Sequence, residues 1–159
     1  MNYRIGIGID IHQLIPGPSI KLAGVDIPFN KKVKAHSDGD IIYHSLSDGI
    51  LGALSKGDIG MYFPDNDPSN KDLDSSKILL YVYSLMNKYN YSVNNIDITL
   101  ILEEPKIKDF KDQMCENISS ILKCSKDVIN IKATTSELIG FVGRGEGVSC
   151  HSIVSIVSN

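Results

Sequence analysis

Hydrophobic and polar residues alternate at the start of the chain and then take up helical spacing. Residues 3–11 alternate around glycines and isoleucines, which is typical of a β-strand. Residues 20–27 predict two short strands that turn at Gly24. Ser37 or Asp38 would then provide the N-cap of the first helix. The apolar positions of this helix are Ile42, Leu46, Ile50 and Leu54.

The rest of the chain continues this mixture of strands and helices. The predicted order is a loop at 57–67, a helix at 75–89, a strand at 93–102, a helix at 107–122 opened by Pro105, a strand at 128–134, a glycine-rich loop at 140–147 and a strand at 148–157. This order predicts an α+β fold, a two-layer sandwich with one mixed β-sheet and helices on one face, of the ferredoxin-like type. We expect a single domain over residues 1–159, and self-association to cover the open sheet face.

Composition excludes several classes of protein. The 159 residues are 42% hydrophobic and 22% charged, with a formal net charge of −3, which suits a soluble domain without a nucleic-acid-binding face. No apolar run approaches the ~20 residues of a membrane span, and the N-terminus has the pattern of a strand and not of a signal or transit peptide. Cys115, Cys124 and Cys150 lack C-x-x-C spacing, so we expect reduced thiols that fill the core. We therefore expect no nucleic-acid or membrane partner.

Histidines and aspartates cluster in the first third of the chain. Asp10 and His12 leave the same face of a strand, and Asp40, His44 and Asp48 share one face of the first helix. If that helix packs beside the strand, His44 approaches Asp10 and His12. Two imidazoles and one carboxylate form a three-ligand set with an open coordination position, for which zinc is the default metal. The alternative is that these are ordinary structural or surface residues.

Two further segments each allow a structural and a functional interpretation. The sequence His-Ser-Asp-Gly-Asp at residues 36–40 is either a capped helix start or a helix N-terminus that favours an anion such as phosphate. Residues 58–67 combine aspartates with aromatic residues and a proline. They form either a solvated loop or a loop whose carboxylates bind the hydroxyls of a sugar-like substrate.

A third segment combines hydroxyls, a carboxylate and glycines. Thr134, Thr135 and Ser136 end a strand and lead to Glu137, a pattern that suits phosphate oxygens together with a hard cation such as Mg²⁺ or Mn²⁺. The glycines at 140, 143, 145 and 147 flank Arg144 and permit close backbone approach. A plain turn before a strand explains the same glycines.

These segments belong to an ordered set of short motifs that extends over nearly the whole chain. The set consists of Asp10-Ile-His12, Ala35-His-Ser-Asp-Gly-Asp40, His44, Gly57-Asp-Ile-Gly60, Phe63-Pro-Asp65, Glu104-Pro-Lys106, Lys132-Ala-Thr-Thr135 and Gly143-Arg-Gly-Glu-Gly147. Together they resemble the 2-C-methyl-D-erythritol 2,4-cyclodiphosphate synthase family, from about residue 3 to about residue 157.

The resemblance implies a reaction and an assembly. Members of this family are lyases of the methylerythritol phosphate route to isoprenoid precursors, and they convert 4-diphosphocytidyl-2-C-methyl-D-erythritol 2-phosphate to a cyclic diphosphate and CMP. The family is a homotrimer with active sites between subunits. Phe141 and Arg144 would line a cavity on the trimer axis that can hold an isoprenoid diphosphate. The expected compartment is the bacterial cytoplasm, or the plastid stroma for a processed eukaryotic form.

The resemblance also implies roles for particular residues. The implied ligands of Zn²⁺ are Asp10, His12 and His44, and Glu137 with the substrate phosphates would bind a second divalent cation, Mg²⁺ or Mn²⁺. The residues implied in transition-state stabilisation are His36 and Thr135. The implied substrate contacts are Asp10, His12, His36, Ser37, Asp58, Ile59, Gly60, Phe63, Pro64, Asp65, Asn66, Asp67, Leu102, Lys106, Lys108, Ala133, Thr134, Thr135, Ser136, Glu137, Phe141 and Arg144.

The chain departs from the family at two positions. Leu138 replaces a residue that is commonly basic, which would weaken a peripheral phosphate contact. His151 replaces a frequent glutamate and would make the axial cavity more basic at low pH.

Two other functions compete with the synthase. A non-catalytic sensor of isoprenoid diphosphates would need Phe141 and Arg144 but not the three metal ligands. A metal-dependent phosphatase would leave the adjacent hydroxyls without a role. The complete motif set therefore favours the synthase.

Overall fold

The computed structural model describes residues 1–64 and 66–159. Its strands are β1 (Tyr3–Pro16), β2 (Ser19–Leu22), β3 (Val25–Pro28), β4 (Lys31–Val33), β5 (Tyr91–Ile101), β6 (Ile129–Thr134) and β7 (Gly147–Ser158). Its helices are α1 (Ile41–Leu54), α2 (Ile59–Tyr62), α3 (Ser75–Lys88), α4 (Lys111–Leu122) and α5 (Gly140–Gly143), with 3₁₀ turns at Pro68–Asn70, Lys108–Phe110 and Lys126–Val128. Among these residues, no helix has both the length and the hydrophobicity that a bilayer span requires.

A five-stranded sheet in the order β4-β1-β7-β5-β6 forms one layer. β5 and β6 run parallel and the other neighbouring strands run antiparallel, so the sheet is mixed. α1 packs on β1 and β7, α3 on β5, and α4 on β6. Leu46, Ile50 and Ile98 are fully buried in the core between these layers. The predicted α+β fold with a mixed sheet is confirmed.

Glycines in β1 allow α1 to lie directly on the strand. A Cβ atom added to Gly8 would lie 1.8 Å from the carbonyl oxygen of Ser45, and one added to Gly6 would lie 2.0 Å from that of Gly49. Neither position can hold any larger residue without moving the helix. Because the same strand continues through Asp10, this close contact brings the middle of α1 next to the end of β1 that carries the predicted metal ligands.

The N-cap of α1 is Asp40, and the prediction of Ser37 or Asp38 was wrong. The Asp40 carboxylate accepts a hydrogen bond from the backbone N–H of Tyr43, and further ones from Ala23 at 2.9 Å and Gly24 at 2.6 Å. The last two donors lie in the turn between β2 and β3. Asp40 is therefore the cap because it also contacts the β2–β3 hairpin. A local sequence pattern holds no information about such a tertiary contact.

One strand is longer than predicted and another was not predicted at all, in both cases because segments distant in sequence pair. β1 continues beyond residue 11 to Pro16, since its end pairs with β4 after it separates from β7. β4 itself, only three residues long, was not predicted. The two short strands at 20–27 are confirmed as β2 and β3.

Two predicted loops contain single helical turns, and one predicted helix starts later than expected. The segment 57–67 includes α2, which is capped by the Asp58 side chain through the N–H of Met61 at 3.1 Å. The segment 140–147 includes α5. A 3₁₀ turn delays the start of α4 to Lys111. Each difference is a single turn, too short to produce a periodic pattern.

The sheet face opposite the helices is apolar and exposed. Odd-numbered residues of β1 point there, because successive side chains of a strand alternate between faces. The side chains of Ile5, Ile7, Ile9, Ile11 and Ile153 are 50% to 73% exposed. This isoleucine face is the surface for which the sequence predicted a cover.

We expect Gly8→Ala to destabilise the protein by about 3 kcal/mol, because the added methyl group overlaps the α1 backbone. Gly52→Ala is the matched control on α1: its Cβ would lie 3.7 Å from the carbonyl oxygen of Ile7, its nearest neighbour, so we expect a gain of up to about 1 kcal/mol from helix propensity. Urea unfolding at fixed protein concentration measures both. Equal midpoints for the two variants would contradict the close contact.

Candidate active site

Three side chains converge where β1 meets α1. The Nε2 atom of His12 lies 2.9 Å from Oδ2 of Asp10, and the Nδ1 atom of His44 lies 3.1 Å from the same oxygen. The two ring nitrogens are 3.2 Å apart. The residues come from different elements, Asp10 and His12 from β1 and His44 from α1, so only the folded chain brings their ligand atoms together.

The donor set fits a divalent metal ion. A tetrahedral zinc ion with bonds of about 2.1 Å separates its ligand atoms by about 3.4 Å, close to the distances between these three atoms. Two imidazole nitrogens and one carboxylate oxygen are ligands that zinc accepts. Among residues 1–64 and 66–159, this is the one group of histidine, cysteine or acidic side chains with such geometry.

The electrostatics of the group keep Asp10 ionised. Burial opposes ionisation, but hydrogen bonds and charge from His12 and His44 outweigh it and hold the pKa of Asp10 well below its ordinary value. The other carboxylate oxygen of Asp10 accepts the N–H of Ile11 at 3.0 Å. The ligand oxygen is therefore negatively charged and fixed in orientation at neutral pH.

The metal-ligand group lines a cavity of about 920 Å³, which we call the cleft. Part of its lining comes from α2 and the segment that follows it. The predicted site residues that line the cleft are Asp10, His12, His36, Ser37, His44, Ile59, Gly60, Phe63, Pro64 and Asn66. Asp65 lies outside the described residues.

Two residues that the sequence predicts as substrate contacts stabilise the backbone of the 57–67 loop. Asp58 caps α2, and Asp67 accepts hydrogen bonds from the N–H and hydroxyl of Ser69 at 2.9 Å and 2.8 Å. Neither side chain is among the residues that line the cleft.

The sequence predicts Asp48 on the same face of α1 as His44. In the structure its carboxylate binds the backbone of the 57–67 loop. Its Oδ1 atom accepts the N–H of Ile59 at 2.8 Å, which ties α2 to α1. Burial raises the pKa of Asp48, and the negative charges of Asp58 and Asp10 add to this effect. Asp40, predicted on that face as well, caps the helix.

A second cavity of about 410 Å³ contains other predicted residues. Lys106, Thr135 and Arg144 line it, together with Leu138 and the unpredicted Lys31. Among residues 1–64 and 66–159, this cavity shares no lining residue with the cleft. Within one chain the structure therefore does not bring the 135–144 segment to the metal-ligand group.

The predicted residues around β6 occupy several environments. Thr135 donates a hydrogen bond from Oγ1 to the Glu137 carboxylate at 3.1 Å, and Ser136 donates to Glu103 from both its N–H and its hydroxyl at 2.9 Å. Ala133 and Thr134 are exposed at the end of β6, Leu102 is buried, and Lys108 begins a 3₁₀ turn.

The two residues predicted for an axial cavity lie on or beside α5. Phe141 is 39% exposed, and Arg144 forms two hydrogen bonds with the Glu146 carboxylate at 2.9 Å and 3.0 Å.

Of the two residues that depart from the family, Leu138 is 75% exposed, and the Nε2 atom of His151 lies 3.1 Å from Oγ of Ser149.

Sequence reasoning missed several residues that line the cleft: Gln13, Lys34, Ala35, Asn70, Leu73 and Ile78. Lys34 and Ala35 directly precede the 36–40 motif, and that adjacency was a usable signal. Asn70 and Leu73 come from the segment before α3 and Ile78 from the first turn of that helix, where no chemical pattern marks them.

The sequence model of the YgbB family matches residues 3–157. The chain belongs to the YgbB family. Curated relatives of this YgbB protein include the 2-C-methyl-D-erythritol 2,4-cyclodiphosphate synthase of Chloroherpeton thalassium, 48% identical over 96% of this chain and 98% of the relative. The synthase of Clostridium perfringens is 47% identical over 97% of this chain and 99% of the relative. The family resemblance seen in the sequence is confirmed.

Solved structures agree with the YgbB assignment. The bifunctional IspDF of Campylobacter jejuni superposes with a TM-score of 0.95 at 40% identity, over 99% of this chain. The chain spans 43% of that bifunctional protein. The IspF of Plasmodium falciparum, solved as a CDP complex, superposes with a TM-score of 0.87 at 38% identity, over 99% of this chain and 97% of that one.

We expect His44→Ala to reduce bound zinc from about one ion per chain to less than about a tenth, because an essential ligand of a three-residue set is lost. Asp48→Asn is the matched control, one helical turn away, and it keeps an oxygen to accept the Ile59 N–H. Metal content by mass spectrometry measures both. Zinc retained in His44→Ala would contradict the site.

Proposed function

We propose that this chain converts 4-diphosphocytidyl-2-C-methyl-D-erythritol 2-phosphate to 2-C-methyl-D-erythritol 2,4-cyclodiphosphate and CMP, as a phosphorus–oxygen lyase of the methylerythritol phosphate pathway. The observation that carries the proposal is the convergence of Asp10, His12 and His44 at a large cleft in a chain nearly half identical to curated synthases.

The reaction needs no dedicated general base. The 2-phosphate of the substrate is largely dianionic at neutral pH, since its second pKa is about 6. One of its oxygens forms a new bond to the β-phosphorus, and the bond from that phosphorus to the CMP oxygen breaks, so CMP leaves with the bonding electrons. The main obstacle is repulsion between anions, and the protein must therefore supply positive charge and alignment.

The cleft is suited to hold the reacting diphosphate. Asp10, His12 and His44 would bind a zinc ion, which supplies Lewis-acid charge next to the phosphates when bound. His36 and Ser37 line the same cavity beside the start of α1 and would orient phosphate oxygens by hydrogen bonds.

The segment that follows α1 would bind the methylerythritol part of the substrate. Ile59, Gly60, Phe63, Pro64 and Asn66 line the cleft, and apolar and backbone groups of this kind suit a short branched polyol. Asp58, Asp65 and Asp67 complete the proposed set of contacts in this loop.

The cytidine half of the site would come from the 102–108 and 133–137 segments. We assign the nucleotide and its phosphates to Leu102, Lys106, Lys108, Ala133, Thr134, Thr135 and Ser136, with Thr135 and His36 stabilising the transition state. Glu137 would hold the second divalent cation, Mg²⁺ or Mn²⁺, against the substrate phosphates. The CDP complex of the Plasmodium falciparum relative supports a nucleotide as ligand.

A second copy of the chain would join the two halves. Thr135 and Lys106 line a cavity separate from the cleft, so one chain alone leaves its metal-ligand group without them. The isoleucine face supplies an apolar surface for association. We propose a homotrimer in which each cleft receives the 133–137 segment of a neighbour, and in which Phe141 and Arg144 face the axis and bind an isoprenoid diphosphate.

Product analysis tests the activity. We expect equal amounts of CMP and cyclic diphosphate by mass spectrometry when the protein is incubated with the substrate, Zn²⁺ and Mg²⁺, and loss of both products in His44→Ala. Release of inorganic phosphate instead would identify a phosphatase, and unchanged substrate from folded, zinc-loaded protein would refute the proposal.

The oligomer has its own test. We expect the double variant Ile5→Glu and Ile9→Glu to shift the protein from trimer to monomer in light scattering, because burying two carboxylates per chain costs several kcal/mol. Leu80→Glu is the control, since Leu80 is similarly exposed at 52% but lies on α3. A trimer that survives the double variant would show that another surface forms the interface.

A further inference from the structure

The two nitrogens of the His44 ring face different surroundings. Nδ1 points to Asp10 and His12, whereas Nε2 lies 2.9 Å from Oγ of Ser75 and 3.1 Å from Oγ of Ser37. His44 is 6% exposed and Ser75 is fully buried, so water does not replace the contact between them. Two hydroxyl groups from residues outside α1 therefore contact the Nε2 side of the ring, which is the side away from Asp10 and His12.

The direction of these hydrogen bonds follows from Asp38. Its Oδ1 atom lies 2.5 Å from Oγ of Ser75, and a carboxylate can only accept, so the hydroxyl hydrogen of Ser75 is directed to Asp38. The Ser75 oxygen is then left to accept, and the donor that faces it is the Nε2–H group of His44. A neutral ring protonated at Nε2 carries its lone pair on Nδ1, the atom that points to the other two ligands.

Asp38 is itself fixed by several independent contacts. Its Oδ1 atom also accepts the backbone N–H groups of Ser75 at 3.2 Å and Asp40 at 3.3 Å, and Lys21 lies 3.4 Å from Oδ2. These contacts join the start of α1, the start of α3 and strand β2. The position of Ser75 is therefore fixed by contacts among three elements, and none of them belongs to the 57–67 loop.

The Ser75 hydroxyl is not the N-cap of α3. The N-cap of that helix is Asp74, whose carboxylate accepts the N–H of Ser76 at 2.9 Å. A serine with only a capping role would bond to its own helix, but this one bridges His44 and Asp38.

We infer that Ser75 and Asp38 are positioning residues for His44, which fix its ring with Nε2 protonated and Nδ1 available to the metal. The inference rests on the proposed zinc site and adds two residues that are not among those lining the cleft. Partners of this kind orient a metal-bound histidine and raise its basicity, and their loss weakens metal binding by about 10- to 100-fold.

Zinc affinity measured by competition with a chromogenic chelator tests the inference. We expect Ser75→Ala to bind zinc about 10- to 100-fold more weakly than the unchanged protein. Ser45→Ala is the matched control: Ser45 is a fully buried serine of α1 that bonds to Ser152 at 2.7 Å, away from the cleft, and its loss should leave zinc affinity within about twofold.

Asp38 provides a graded comparison. Asp38→Asn keeps an oxygen that accepts from Ser75 and should retain most of the zinc affinity, whereas Asp38→Ala should lose as much as Ser75→Ala. Equal affinities for Asp38→Asn and Asp38→Ala, or an unchanged affinity in Ser75→Ala, would overturn the inference.

A spectroscopic measurement on the unchanged protein removes any dependence on variant folding. Long-range ¹H–¹⁵N correlation spectra of the zinc-free protein should show a neutral His44 ring protonated at Nε2, and a neutral ring protonated at Nδ1 would overturn the inference. These readouts are independent of catalysis, so a protein that makes no cyclic diphosphate yet shows them would refute the proposed function and leave the positioning role intact.

Discussion

The contact of α1 with β1 is the constraint on which the site depends. Gly6 and Gly8 let the helix backbone approach the strand to a distance that no side chain would permit. The metal-ligand geometry is a consequence, because Asp10 and His12 continue the same strand while His44 continues the same helix. A displacement of α1 by the width of one methyl group would separate His44 from the other two ligands. Close packing in the core therefore sets the distances at the site.

The start of α1 is fixed as firmly as its middle. Asp40 is a fully buried carboxylate, and burial raises its pKa even though three backbone N–H groups donate to it. The three donors come from the β2–β3 turn and from Tyr43, so the carboxylate joins the start of the helix to the hairpin. The helix is thus anchored along its length by backbone contact with β1 and at its end by a hydrogen-bonded side chain.

Much of the fold and part of the site could be predicted from the sequence. The i, i+4 spacing of apolar residues located α1, and the Asp10-x-His12 pair with His44 predicted a three-ligand group that the structure assembles. The choice of Asp40 as cap and the pairing of β4 were inaccessible, because both depend on residues far away in sequence. Sequence order does not say whether Thr135 and the cleft residues meet within one chain or between copies, and only the family resemblance implied a site between subunits.

The two faces of strand β1 contribute to two different surfaces of the protein. Its even-numbered residues include the glycines under α1 and the ligands Asp10 and His12, and its odd-numbered residues form the isoleucine face. Deleting one residue within the strand would exchange these roles for every position beyond the deletion, and it would place carboxylate and imidazole on the isoleucine face and isoleucine in the cleft. A change of one residue in the length of this segment would thus disrupt the metal-ligand group and the isoleucine face together, whereas a substitution alters only one of the two faces.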